Sequence, residues 1–212
     1  KKKICELETI SMSGSFKFNA YSELTFTVSR TYTNMVTGET QVNPFYDKIE
    51  ALRLVYLESF GYFEIQDPEI VSDGIKEVKN ITAYGLEYTL SQKYLENFKI
   101  NTGEVDSVEV MHANGGLVTP VVLYNQAEPG LSLLDLTLEK IYGWKIGSVD
   151  QSLYPETTGR MFDVSRASIY DFIVQDICDK FNCFAIFDTI NNTINLYSES
   201  LSVKHIGDNN TK

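Results

Sequence analysis

The sequence predicts a β-rich α+β protein, and three observations predict it. Apolar residues alternate with polar ones, or cluster with aromatic and β-branched types, through the first hundred residues. Two capped apolar stripes at helical spacing follow in residues 131 to 199, and a hairpin closes that segment. On this reading residues 1–100 form a barrel-like or sandwich β domain and residues 101–130 a β connection. Residues 131–212 form an α+β domain with two helices and a hairpin.

Strand chemistry runs from Ile4 to about Val71, in stretches such as FKFNAYSELTFTVSR and RLVYLESFGYFEI. Leu24, Phe26 and Val28 alternate with Thr25 and Thr27, which places one face of that strand inward. Gly61 separates two strand-like runs as a short hairpin connection, and Pro44 and Pro68 fall at strand edges, where a missing amide donor does least harm. Short strands with turns between them specify a sandwich or a small barrel. Residues 75 to 90, rich in Val, Ile, Thr and Tyr, read as one long strand, and residues 91 to 98 admit a short helix. Two further strands in residues 107 to 125 are joined across Asn114-Gly115-Gly116, because Asn-Gly tolerates the positive φ of a tight turn.

Ser132 with Asp135 forms a capping-box pattern for a helix over residues 133 to 142. Leu134, Leu138 and Ile141 make its stripe, and Gly143 ends it. A strand follows the Gly-Trp turn. Ser165 or Ser168 caps the second helix, whose buried face is Ile169, Phe172, Ile173, Ile177 and Phe181, with Asp171, Gln175, Asp176 and Lys180 toward solvent. FAIFD and TINLYS then flank Ile190-Asn191-Asn192 as a hairpin.

The chain has 212 residues, 43% of them hydrophobic, enough to bury a substantial core in one large or two small domains. No run of about 18 or more apolar residues is present to span a membrane, and KKKICELETI has no apolar stretch of signal-peptide length. A start without Met and a polar, uncapped end at HIGDNNTK read as a piece of a longer chain. The net charge of −11, with basic residues scattered apart from Lys1 to Lys3, disfavours nucleic-acid binding, although an acidic wall facing DNA without holding it is compatible. Cys5, Cys178 and Cys183 have no metal-ligand or CxxC spacing and read as buried thiols.

Chemistry-bearing patterns are sparse. His112 and His205 lack any zinc-motif partner and read as surface or hydrogen-bonded strand residues rather than bases. No GxSxG elbow places a nucleophilic serine, and no GxGxxG or Walker loop supports a nucleotide. Asp188, Asn191, Asn192 and Asn195 offer oxygen ligands within one hairpin, yet a tight turn selects the same residues. Glu87 and Asp163 are a carboxylate pair for glycoside hydrolysis only where a cleft brings them together. The 13 Tyr and 12 Phe suit a sugar-binding or protein-binding surface, although Phe26, Phe63, Phe172 and Phe187 fall on core faces. No catalytic, cofactor-binding or metal-ligating residue is assigned, and no cofactor is expected.

Two stretches carry a resemblance. VKNITAYGLEYTLSQKYL, residues 78 to 95, is similar to a long strand leading into an aromatic-Gly/Ser-Leu-Glu-Tyr pattern. LLDLTLEKIYGWKIGSVD, followed by RMFDVSRASIYDFIVQDICDKFNCFAIFDTINNTINLY, is the other. Together they resemble the N-terminal hub region of phage tail-associated proteins, the family of prophage endopeptidase tail proteins, tail-associated lysins and phage minor structural proteins. The likeness covers residues 50 to 200; the first fifty match only in their β character. It implies a tail-tip or baseplate hub in the virion, made in the host bacterial cytoplasm. Barrel-like domains would assemble there as a trimeric ring beneath the tail tube, through which DNA passes without specific binding. It implies contacts with the distal tail protein and the tape measure protein, and catalytic or receptor-binding parts downstream of this region. The chain stops short of the family's usual two-barrel hub, so the second barrel is expected to be missing. A peptidoglycan-degrading tail hydrolase and a carbohydrate-binding adhesin are the competing readings.

Overall fold

The structure, a computed structural model, describes residues 3, 5–7, 9–16, 20–102, 121–139, 141–153 and 160–198. His112, His205 and the expected turn at Asn114-Gly115-Gly116 lie outside the described residues. The fold is β-rich α+β, and the chain separates into two compact units, Lys1–Leu86 and Glu87–Lys212.

The N-terminal unit holds β1 (Ser11–Ser15), β2 (Glu23–Ser29), β3 (Thr31–Thr33), β4 (Thr40–Val42), β5 (Leu54–Leu57), β6 (Gly61–Ile65), β7 (Glu69–Ser72) and β8 (Glu77–Gly85). Six of these form one antiparallel sheet in the order β1-β2-β8-β6-β5, with β7 also paired to β8, while β3 and β4 make a separate hairpin. The period-two reading of β2 holds: Leu24, Phe26 and Val28 are buried, and the register sets Phe26 against Ile81 and Leu24 against Ala83. Phe63, Ile65, Tyr46 and Ile49 complete this core. The β5–β6 turn puts Ser59, at φ 68°, in the left-handed region, and Gly61 opens β6 at φ 104°. Pro68 stands immediately before β7, and Pro44 follows β4.

The strand expected over residues 75 to 90 ends at Gly85. Leu90 N–H then bonds to Glu87 O at 3.0 Å, closing the single turn α1 (Tyr88–Ser91). The helix allowed over residues 91 to 98 is not formed; β9 (Tyr94–Thr102) pairs antiparallel with β11 (Arg160–Ser168), an element absent from the sequence reading. Asn97, at φ 50°, interrupts this ladder between the pairs Phe98–Val164 and Glu96–Arg166. That break destroys the alternation by which a strand is recognised. Residues 94–100, grouped with the β domain on sequence grounds, thus pair within the second unit.

The remaining elements of this unit are α2 (Leu133–Leu138), β10 (Lys145–Val149), α3 (Ile169–Asp171), α4 (Cys178–Phe181), β12 (Cys183–Asp188) and β13 (Thr193–Ser198). Ser132 caps α2 as expected, its Oγ accepting from Asp135 N–H at 3.3 Å. The helix stops at Leu138 rather than at residue 142. Thr137 donates its hydroxyl to Leu133 O at 2.8 Å, and Ile141 N–H bonds to Leu138 O, a tighter turn than the helix allows. Gly143, at φ 97°, makes the following turn.

Of the two candidate caps for the second helix, Ser168 is the one used. Its Oγ accepts from Asp171 N–H at 3.0 Å and donates to Asp171 Oδ2 at 2.6 Å. Between α3 and α4 the backbone winds as a π-helix over Phe172–Ile177. The wider turn buries Phe172, Ile173, Val174 and Ile177 together, and Phe172 meets Phe162 and Phe98 edge to face with centroids at 5.4 and 5.3 Å. Asn182, left-handed at φ 54°, ends the helix. The hairpin β12–β13 forms as expected, and β10 adds to β13 in parallel, giving a mixed sheet in the order β10-β13-β12.

Candidate functional site

The N-terminal unit exposes apolar side chains at places that the fold holds firmly. At the tip of the β3–β4 hairpin, Asn34 Oδ1 accepts from Val36 N–H at 2.9 Å and from Thr37 N–H at 3.3 Å, and Gly38 N–H bonds to Asn34 O. This fixed turn presents Met35 at 100% and Val36 at 94% exposure. Strand β7 is exposed along its whole length, Ile70 and Val71 included, and β1 and β5 end the sheet. Uncovered edges and apolar tips of this kind are the surface through which β proteins associate.

A groove of about 560 Å³ opens in the same unit, lined among others by Leu7 and Ile10, by all three residues of β3, and by Phe45. The segment carrying Phe45 is anchored from inside the core. Lys79 takes the inward position of β8 beside Val28, is 8% exposed, and donates to Tyr46 O at 3.0 Å and Ile49 O at 2.8 Å. Its ammonium also lies 4.7 Å from the centroid of the Tyr46 ring. Burial, with the Glu77 carboxylate beside it, pushes the Tyr46 hydroxyl up to about 12, and Glu77 is itself paired with Arg30 at 3.1 Å. Sequence reasoning missed Lys79, although the period-two register of β8 points it inward.

The residues singled out for chemistry are dispersed or structurally occupied. Glu87 is 3% exposed at the start of α1, whereas Asp163 sits on the outer face of β11, bound to Lys99 Nζ at 2.8 Å. Asp188 closes its own turn: Oδ1 accepts from Ile190 and Asn191 N–H, and Oδ2 from the Asn191 amide at 2.6 Å. Burial opposes the Asp188 charge, but these hydrogen bonds hold its carboxyl below the usual range. Asn195 spans the sheet, its Oδ1 accepting from Ser148 N–H at 2.7 Å and its Nδ2 donating to Ile186 O at 3.3 Å. Among the described residues no group of three or more His, Cys, Asp or Glu side chains is placed to hold a metal. Cys178 and Cys183 are buried, as expected, and Cys5 only partly so. Among the described residues no helix is long and apolar enough to cross a membrane.

No family model matches the chain, and no curated protein matches it. Among solved structures, the prophage tail protein gp18 from Listeria monocytogenes EGD-e is similar, with a TM-score of 0.52 at 12% identity. The match covers 89% of this chain. The chain has the fold of a prophage tail protein. It spans 44% of that protein's length, less than half.

Proposed function

We propose that the chain is a structural component of a phage or prophage tail-tip or baseplate hub, joining the tail tube to downstream receptor-binding or wall-degrading parts. The observation that carries this reading is the fold shared with a prophage tail protein across 89% of the chain. The exposed edges and apolar hairpin tip of the N-terminal unit support it, because a homotrimeric ring would cover them. The ring's neighbours are the distal tail protein and the tape measure protein. DNA passes through its lumen without specific binding, a passage favoured by the chain's net charge of −11. The chain is not itself the enzyme on this account. The hydrolase reading gains nothing from the buried Glu87 and the lysine-paired Asp163.

Immunogold labelling of intact virions with antibodies against this chain tests the proposal. Gold at the tail tip is expected; gold confined to the head or spread along the tail sinks it.

A further inference from the structure

The outward face of the N-terminal sheet is patterned across its strands. The registers carry one row through Ser13, Thr25 and Thr82, and the next through Ser11, Thr27, Asn80 and Glu69. Residues joined by register share a face; they lie about 4.8 Å apart along a row, and the next row on that face is about 6.8 Å away. The third row runs through Ser15, Glu23, Tyr84, Glu64 and Leu54, and Tyr62 opposite Tyr56 makes the fourth. Two rows of hydroxyls thus stand beside two that carry tyrosines. Leu24, Phe26, Val28, Ile81 and Ala83, which alternate with them, are buried on the opposite side.

The hydroxyl rows are held in order and meet water. Ser13 Oγ and Thr25 Oγ1 share a hydrogen bond at 3.0 Å, Thr27 Oγ1 donates to Asn80 Oδ1 at 3.0 Å, and Asn80 Nδ2 donates to Glu69 Oε2 at 3.4 Å. Ser11, Ser13 and Asn80 are exposed, and the two rows line a hollow of about 320 Å³. A hydroxyl offers one donor and two acceptor sites, so a group with one hydrogen bond keeps capacity for a partner that both gives and takes. On the neighbouring rows the Tyr56 and Tyr62 rings lie 5.0 Å apart, with Tyr56 at 52% exposure, and Tyr21 stands 6.5 Å from Tyr84.

Three classes of partner fit this pattern unequally. The outward positions of these strands include Glu23, Glu64 and Glu69 and no Lys, Arg or His, which repels a polyanion. Ser and Thr are under-represented among the residues that carry protein–protein binding energy, so rows of them give a protein partner little to grip. A neutral sugar matches both halves of the face. Its hydroxyls donate and accept as the Ser, Thr and Asn side chains do, and the C–H face of its ring stacks on the negative face of a tyrosine.

We propose that this sheet face binds a neutral glycan, a chain of uncharged hexose or N-acetylhexosamine units. The glycan runs diagonally over the strands, with its hydroxyls on the Ser13–Thr25–Thr82 row and its rings against Tyr84 and the Tyr56–Tyr62 pair. Sugar binding goes beyond the hub proposal and does not depend on it: gold labelling reads the place in the virion, and titration reads the sugar.

The test is calorimetric titration of the whole 212-residue chain with cellohexaose, maltohexaose and an N-acetylglucosamine hexamer, beside an oligogalacturonate as the anionic control. At least one neutral hexamer should bind and shift the amide resonances of Thr25 and Thr82, and the oligogalacturonate should not. Thr82→Val removes a hydroxyl but keeps the β-branched shape, and Tyr56→Ala alters an exposed position of the face. Each should weaken the binding by about tenfold. Failure of all three neutral hexamers to bind overturns the inference. So does an oligogalacturonate that binds as tightly, or unchanged affinity in either variant.

Discussion

Lys79 carries a charge into the N-terminal core and spends its donors on the carbonyls of Tyr46 and Ile49. A buried ammonium is stable there because its hydrogen bonds and the Tyr46 ring replace water. Lys79→Met keeps most of the stem's packing but strips both carbonyls of their donor. We expect a loss of about 1–3 kcal/mol, read from faster amide exchange in β2 and β8; exchange no faster than in the wild type would show that the contact is idle. Gly147 poses the opposite problem, since any Cβ there would collide with Asn195 Oδ1 and crowd Thr193. Gly147→Ala should cost about 1–3 kcal/mol by overpacking, measured by urea unfolding with Trp144, the single tryptophan, as reporter. Two carboxylates set a pH dependence. In Asp150, burial is outweighed by hydrogen bonds from Ser198 and Ser152, and Asp188 is held down in the same way by Asn191 and Ile190. Both titrate lower folded than unfolded, so their contribution is complete above about pH 4 and is lost as pH falls through the folded values. Asp150→Asn should flatten the acid limb of stability below about pH 4; an unchanged limb would refute the assignment.

Among the elements, β9 shows where periodicity stops informing. Its residues Tyr94 to Thr102 pair along nearly their whole length with β11, yet the left-handed Asn97 shifts the buried positions off the strand period. Only the partner strand, some sixty residues later in the chain, decides the state, a case of tertiary pairing overriding local pattern. Asn97→Val should cost about 1–2 kcal/mol and Asn97→Gly almost nothing, because only the β-branched residue resists positive φ. Equal losses would mean that the Asn side chain, not its backbone, matters. By contrast β2, the Ser132 and Ser168 caps and the β12–β13 hairpin were legible, since each depends on residues within a few positions of one another. The shortened α2 and the π-helical turn were not: a hydroxyl bonding back to Leu133 O and a widened turn around Phe172 are choices made by packing. The groove beside β3 was equally hidden, because its lining comes from segments far apart in the chain.

At the scale of the whole molecule, two compact units carry different surfaces. The N-terminal unit keeps an apolar hairpin tip and uncovered strand edges, which a monomer in water has reason to hide. If a ring covers them, light scattering on the isolated chain should report three copies rather than one of 24.0 kDa. Replacing Met35 and Val36 together by Ser should then shift that mass toward the monomer without lowering the thermal midpoint of the C-terminal unit. A monomeric wild-type chain would remove the trimer from the account. The most direct measurement of the central claim is cryo-electron microscopy of purified virions with threefold averaging at the tail tip. The account predicts density beneath the tail tube into which each of the two units fits separately, in three copies; a tail tip with no density for either unit would contradict it.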